Sequence, residues 1–283
     1  MLIDSTVRNV VLGCLILGSV SGILGTFAVL RRQGLVGDTL AHAALPGVVI
    51  AFMLSGSKAP LILILGASVS GWIAMSLLSS ALRTTRLDPG TVMAVVLSST
   101  FGLGVALLSW LQKSPTASLA GLDKYLLGQA ASLVSDQVAV MGILGAVCVI
   151  LVALLFKEFK LLSFDPVFAK STGWPVAILE SVLTGLLLVS IVVGLNTVGV
   201  VLMSAMLVAP AVAARPWSRS LTGMTLGAAV VGSTCGLLGA GVSLTVPKVP
   251  TGPAIVVFLG VAVVASLVLR HERRARLPAW RRP

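Results

Sequence analysis

The sequence predicts an all-α, polytopic helical membrane protein with eight or nine transmembrane helices, a single domain over residues 1–283. Three observations carry this. Of the 283 residues 57% are apolar and only 10% are charged, whereas a soluble domain carries about 25% charged residues. The mean hydropathy is +1.08. The apolar residues also come in runs close to the ~20 residues that a helix needs to cross a bilayer. Nine crossings take about 180 residues and leave about 100 for loops, so no segment is long enough to fold as a separate soluble domain.

In order, the runs are 9–30, 39–55, 60–82, 90–111, 135–156, 176–195, 197–214, 221–245 and 254–269. Residues 1–8 lack a basic n-region and the first run lacks a cleavage site, so it is expected to be a retained helix rather than a signal peptide. The runs 176–195 and 197–214 are joined only by Asn196 and its neighbours. They read as a tight hairpin, which makes nine spans, or as one broken helix, which makes eight. An outside N-terminus leaves only Arg8, Lys58, Lys113, Lys124 and Lys248 of the 20 Lys and Arg outside, and the positive-inside rule selects this orientation, with a cytoplasmic C-terminus. Topology thereby absorbs the net charge of +11, and no nucleic-acid partner is expected.

Cys14, Cys148 and Cys235 lie far apart inside apolar runs, which offers neither a disulfide framework nor a metal-binding CxxC pair; they read as small buried hydrophobes. The 29 glycines are spread through the spans. That fits close helix packing through small residues, and equally the general glycine richness of membrane helices.

A charge near the centre of a span costs roughly 2.5–3.5 kcal/mol on insertion scales, so Asp38, Glu180 and Asp136 each ask for a reason. Asp38 and His42 are four residues apart, a spacing that stacks them on one helix face. A carboxylate oxygen and an imidazole nitrogen together suit a divalent first-row metal better than Ca²⁺ or Cu(I). Two ligands hold an ion weakly, and a symmetric dimer would bring four. The same spacing also fits Asp38 as a helix N-cap and His42 as a polar residue against a neighbouring helix. Pro46, four residues after His42, disturbs the helix and frees backbone carbonyls. Glu180 stands close enough to the cytoplasmic edge to reach water or a basic neighbour such as Lys170. Asn196, Ser204, Met206 and Pro210 mark a second polar or irregular stretch and are candidate pathway residues, Asn196 at a helix end foremost; the small residues of the stretch also suit packing of one helix against another.

Residues 161–175 form a cytoplasmic loop with a short helix of about two turns written into it. Asp165 suits the N-cap, Pro166 the first turn and Gly173 the position after the end, while Pro175 prevents continuation. Val167, Phe168 and Trp174 have no core of their own to enter. Docking onto a soluble partner explains them, as does lying flat among lipid headgroups.

The stretch from Leu30 to Gly47, with Arg31-Arg32-Gln33-Gly34 and Gly37-Asp38-Thr39-Leu40-Ala41-His42, resembles the signature of the permease family of bacterial manganese, zinc and iron ABC importers. The likeness covers nearly the whole chain: Asn196-Thr197-Val198-Gly199 with Ala205 to Ala211 is similar to a second block, and Phe164-Asp165-Pro166 through Gly173 to the coupling segment. Many relatives carry glutamine where this chain has Asn196. The resemblance implies a multi-pass permease of the bacterial inner membrane, of type II importer fold like the vitamin B12 and siderophore importers. It implies a second permease copy or paralogue, two cytoplasmic ATPase subunits and an external metal-delivering solute-binding protein. Asp38 and His42 would then contact the metal, and the 161–175 loop would couple to the ATPase.

On this reading the chain is not an enzyme. It lacks a GxxxxGK[ST] nucleotide loop, ATP would act on the partner, and Mn²⁺, Zn²⁺ or Fe²⁺ would be cargo rather than a permanent cofactor. A carrier driven by an ion gradient through Asp38 and a permease for a metal chelate are the rival readings.

Overall fold

The computed structural model describes residues 2–57, 59–112, 135–246 and 249–275. They form α1 (Leu2–Leu30), α2 (Val36–Ser55), α3 (Pro60–Thr84), α4 (Pro89–Gln112), α5 (Ser135–Leu154), α6 (Phe156–Phe164), α7 (Pro166–Ser171), α8 (Val176–Val198), α9 (Val200–Ala214), a 3₁₀ turn (Arg215–Trp217), α10 (Leu221–Thr245) and α11 (Thr251–Ala275). No strand occurs among the described residues.

Eight helices, α1 to α5 with α8, α10 and α11, are long and apolar enough to cross a membrane. The remaining run, 197–214, is α9, whose 15 residues reach about 22 Å, short of the ~30 Å hydrocarbon core. Met203 packs over Gly194, nine residues earlier. A continuous helix would hold that pair about 13 Å apart, so the chain reverses between them as a hairpin. The reversal sits at Gly199, whose φ of 85° and ψ of 167° fall in a region essentially reserved for glycine.

The helix limits follow from local chemistry. Pro60 and Pro89 open α3 and α4, where a missing N–H is no loss. Gly56, with a φ of 63°, closes α2 in the left-handed conformation. Ser220 caps α10 by accepting from the Gly223 N–H at 3.1 Å. The run expected as 135–156 ends sooner, at Leu154, and the chain enters a further helix, α6, of which only residues 161–164 overlap the expected loop. Its Phe159 and Leu162 are buried, and Phe156 and Phe159 both pack edge-on against Phe27 of α1.

The interior belongs to α1 and α2, buried over 67% and 72% of their apolar stretches, against 22% for α5 and α11. What lets helices approach α1 and α2 is glycine. A methyl on Gly18 would stand 2.6 Å from the Gly232 carbonyl carbon, one on Gly22 2.7 Å from that of Ala228, and one on Gly47 2.7 Å from that of Gly66. Ordinary carbon contacts are about 3.5–4.0 Å, so these crossings of α1 with α10 and of α2 with α3 accept no side chain. Both pairs run antiparallel. Gly102, Gly241 and Gly260 by contrast face open space, so close packing explains some of the glycines and not others. The three cysteines are free and buried.

Arginine or lysine marks every described connection at one end of the bundle: Arg31 and Arg32 after α1, Arg83 in the last turn of α3 and Arg86 after it, Lys157 and Lys160 in α6, and Arg215 and Arg219 after α9. This basic end also holds α7.

Candidate functional site

The turn after α1 sets the position of the metal-ligating candidates. Arg32 has a φ of 57°, the one positive value outside glycine among the described residues. It ends α1 in a Schellman turn, with the Gln33 N–H donating to the Ala28 carbonyl at 2.9 Å and the Arg32 N–H to that of Val29 at 3.1 Å. The chain is thereby turned back into the bundle before α2 begins. Gly37 then abuts Leu207 of α9, with 2.8 Å left between a methyl on it and Leu207 Cδ2, and the backbone of the same Leu207 meets Gly25 of α1. Gly25 lies five residues inside the end of α1, or about 7.5 Å.

The far side of α2 agrees. Ser70 of α3 donates to the Ala43 carbonyl at 2.6 Å, which places Asp38 beside residue 75, and α3 continues to Thr84, about 13 Å further. Hydropathy sets Asp38 at the edge of its span, whereas the fold sinks it some 7–13 Å below the basic rim.

Leu35, not Asp38, occupies the N-cap position of α2, and no side chain caps it. Asp38 is thus the third residue of the helix, one turn before His42, and its charge is favoured there by the helix dipole. Asp38 Oδ1 and His42 Nε2 are 3.5 Å apart, with side chains 37% and 21% exposed. That is long for a hydrogen bond. It matches two ligands seen at roughly 110° from an ion about 2.1 Å from each, a near-tetrahedral angle. The ring of Phe101, on α4, stands edge-on to the imidazole at 4.8 Å between centroids, and fixes its plane. His42 Nδ1 is buried and meets no hydrogen-bond partner among the described residues. Pro46 lies inside α2 and has no N–H to give, which frees the His42 carbonyl.

No group of three or more His, Cys, Asp or Glu side chains gathers among the described residues. One chain therefore offers a metal this pair and no fuller set there. Of the second polar stretch, Asn196 is in the last turn of α8 and its side chain is outside the described residues. Ser204 is half-buried on α9. Met206 is wholly buried and Pro210 is buried within the helix.

Glu180 finds a different partner from the one expected. Its Oε1 is 2.5 Å from Arg31 Nη2, across 149 positions, while Lys170 is exposed on α7. From the sequence Arg31 counts as a charge at the basic end and as part of the Arg31-Arg32-Gln33-Gly34 block, and Phe101 carries no signal at all, because neither has a local pattern that points to its partner.

The loop helix forms as its end signals dictate, and is shorter than two turns. Asp165 accepts from the Phe168 N–H at 2.8 Å and Pro166 opens the helix. At the other end the Trp174 N–H donates to Ala169 and the Gly173 N–H to Lys170, at 3.1 and 3.2 Å, a Schellman motif completed by the φ of 86° at Gly173. Ala169 is buried and ties α7 to the body, while Val167 is 78% and Phe168 54% exposed. Trp174 and Phe164 are exposed beside them, so a rigid, capped helix presents an apolar face outward at the basic end.

The profile of the ABC 3 transport family matches residues 3–270. The zinc transport system membrane protein TroC of Treponema pallidum is 45% identical over 279 residues, 99% of this chain and 94% of that protein. The manganese transport system membrane protein MntC of Bacillus subtilis is 39% identical over 93% of this chain and 61% of its own length. Among solved structures, PsaBC from Streptococcus pneumoniae in complex with Fab superposes with a TM-score of 0.80 at 28% identity, covering 92% of this chain and 90% of that one. With the multi-pass bundle, the capped loop helix and a match over nearly its whole length, the chain belongs to the ABC 3 transport family of membrane permeases.

Proposed function

We propose that the chain is the permease subunit of an ABC importer that carries a divalent transition-metal ion into the cytoplasm, with Asp38 and His42 as the metal-contacting pair. The observation that carries the assignment is the 3.5 Å juxtaposition of Asp38 Oδ1 and His42 Nε2 on a recessed, accessible helix face. A second permease copy or paralogue would bring the matching pair, so that two carboxylates and two imidazoles replace water ligands lost by the ion. Such a donor set accepts Mn²⁺, Zn²⁺ and Fe²⁺ alike, and the relatives named for zinc and manganese transport agree with that range. Membership of an ABC family disfavours a gradient-driven carrier.

In this reading the basic end is cytoplasmic by the positive-inside rule, in a bacterial inner membrane. Two ATPase subunits bind there, docking the face of Val167, Phe168 and Trp174 in a groove, with Asp165, Pro166 and Gly173 shaping the helix. A solute-binding protein delivers metal at the other end. ATP binding and hydrolysis on the partner move α7, and the bundle exposes the pair alternately to each side.

The test is uptake of radiolabelled Mn²⁺ and Zn²⁺ into proteoliposomes holding the permease, its ATPase and its binding protein. Asp38→Ala and His42→Ala are expected to assemble with the ATPase and lose ATP-dependent uptake. Full uptake by both variants would sink the site assignment.

A further inference from the structure

How a push on α7 reaches a metal pair on α2 is a matter of which contacts join them. The candidate link is the ion pair between Arg31 and Glu180. Arg31 opens the turn that carries α2; Glu180 stands in the second turn of α8, which starts at Val176 directly after the Schellman end of α7. Arg31 is only 13% exposed, so its charge is largely taken from water and depends on that carboxylate. Apart from the Asp38 and His42 pair, no other ion pair forms among the described residues.

Glu180 borders open space on one side of α8, while Leu179 and Leu183 of the same turns are buried in the core. A cavity of about 460 Å³ separates the basic ends of α3 and α8, lined by Glu180 with Ser76, Ser79, Arg83, Ser181 and Thr184. The first turns of α8 are therefore not packed against α3. Deeper in, Leu188 fits against Gly71 of α3, where a methyl on Gly71 would stand 3.2 Å from Leu188 Cδ2. Leu179 and Leu183, on either side of Glu180, are buried in the core, so α8 runs as one packed helix from Glu180 to Leu188, about 12 Å along its axis. Its first turns hold Arg31 through Glu180, and Arg31 precedes the left-handed Arg32 on which the entry into α2 turns.

We infer that Arg31 and Glu180 form a strut that transmits displacement of α7 and the start of α8 to the turn beneath Asp38 and His42, which makes both of them positioning residues for transport. The inference rests on the transport reading above but not on the ligand role of Asp38 and His42. The strut predicts that its loss separates ATP hydrolysis from metal movement, whereas a salt bridge that only stabilised the fold would lower both in proportion.

The experiment measures metal transported per ATP hydrolysed, in proteoliposomes with the ATPase and metal-loaded binding protein. The variants are Arg31→Gln, Glu180→Gln, the exchange Arg31→Glu with Glu180→Arg, and the charge-preserving Arg31→Lys. The single neutral variants are expected to hydrolyse ATP but to move about fivefold less metal per ATP or fewer still, the scale of a coupling between distant sites. The exchange should recover most of the ratio, and Arg31→Lys should fall between. Should the neutral variants fail to assemble, Arg31→Lys and the exchange still decide. A wild-type ratio in the neutral variants, or in Arg31→Lys together with an exchange that recovers nothing, overturns the strut. Either result leaves the Asp38→Ala and His42→Ala uptake test untouched, so the two readings fail separately.

Discussion

Gly25 is the position where one added carbon should do the most harm. A methyl there would lie 2.7 Å from the carbonyl carbon of Leu207 and nearer still to its oxygen, where about 3.5 Å is the ordinary approach. The atoms met are backbone, so no side chain can swing aside, and α1 and α9 must part by about 1 Å. A gap of that size forfeits a quarter to a half of each dispersion contact along the crossing, and overpacking of this kind typically costs about 1–3 kcal/mol. We expect Gly25→Ala at the upper end, on the order of 2–3 kcal/mol, and a fall in Tm on the order of 5 °C. Gly260→Ala, which would meet nothing within 4 Å, serves as the control and should leave Tm unchanged or slightly raised, since alanine is the better helix former. Cys14, Cys148 and Cys235 are buried, so a thiol-reactive fluorophore reports unfolding as they become accessible during heating in detergent. Because Leu207 also supports Gly37, Gly25→Ala should reduce metal uptake as well as Tm. A wild-type melting curve for Gly25→Ala would refute the reasoning, for it would mean that α1 and α9 do not meet as closely as described.

Two further outcomes follow from local geometry. Removing the Asp165 cap costs about 1 kcal/mol in a helix of six residues, so Asp165→Ala should weaken binding of the ATPase subunit roughly fivefold in a titration, while Asp165→Asn, which still accepts from the Phe168 N–H, stays close to wild type; equal affinities for all three would show that the cap does not set the docking surface. Gly199→Ala forces a side chain onto a φ of 85° at about 1–3 kcal/mol; lower thermal stability in the same thiol assay is expected, and an unchanged curve would argue against the sharp reversal between α8 and α9.

The amino-acid sequence by itself determined the parts of this protein that depend on short-range chemistry and on contact with lipid. Run length and charge content are enough to specify helical spans, because a bilayer leaves a backbone few other ways to satisfy its polar groups. Asp165, Pro166 and Gly173 likewise state where a helix starts and stops. The i, i+4 spacing of Asp38 and His42 puts them on one face whatever the helix packs against. The tertiary structure decided what depends on partners distant in the chain. It sank Asp38 well below the rim, since depth follows from where α1 and α3 end and not from the hydropathy of α2. It made the last two central runs a hairpin, through the backbone freedom of Gly199 and the seat of Met203 on Gly194. It added α6, whose buried Phe159 needs Phe27 of α1 to make sense. And it paired Glu180 with Arg31 rather than Lys170, because an ion pair is chosen by distance in space, which a span-by-span reading does not supply.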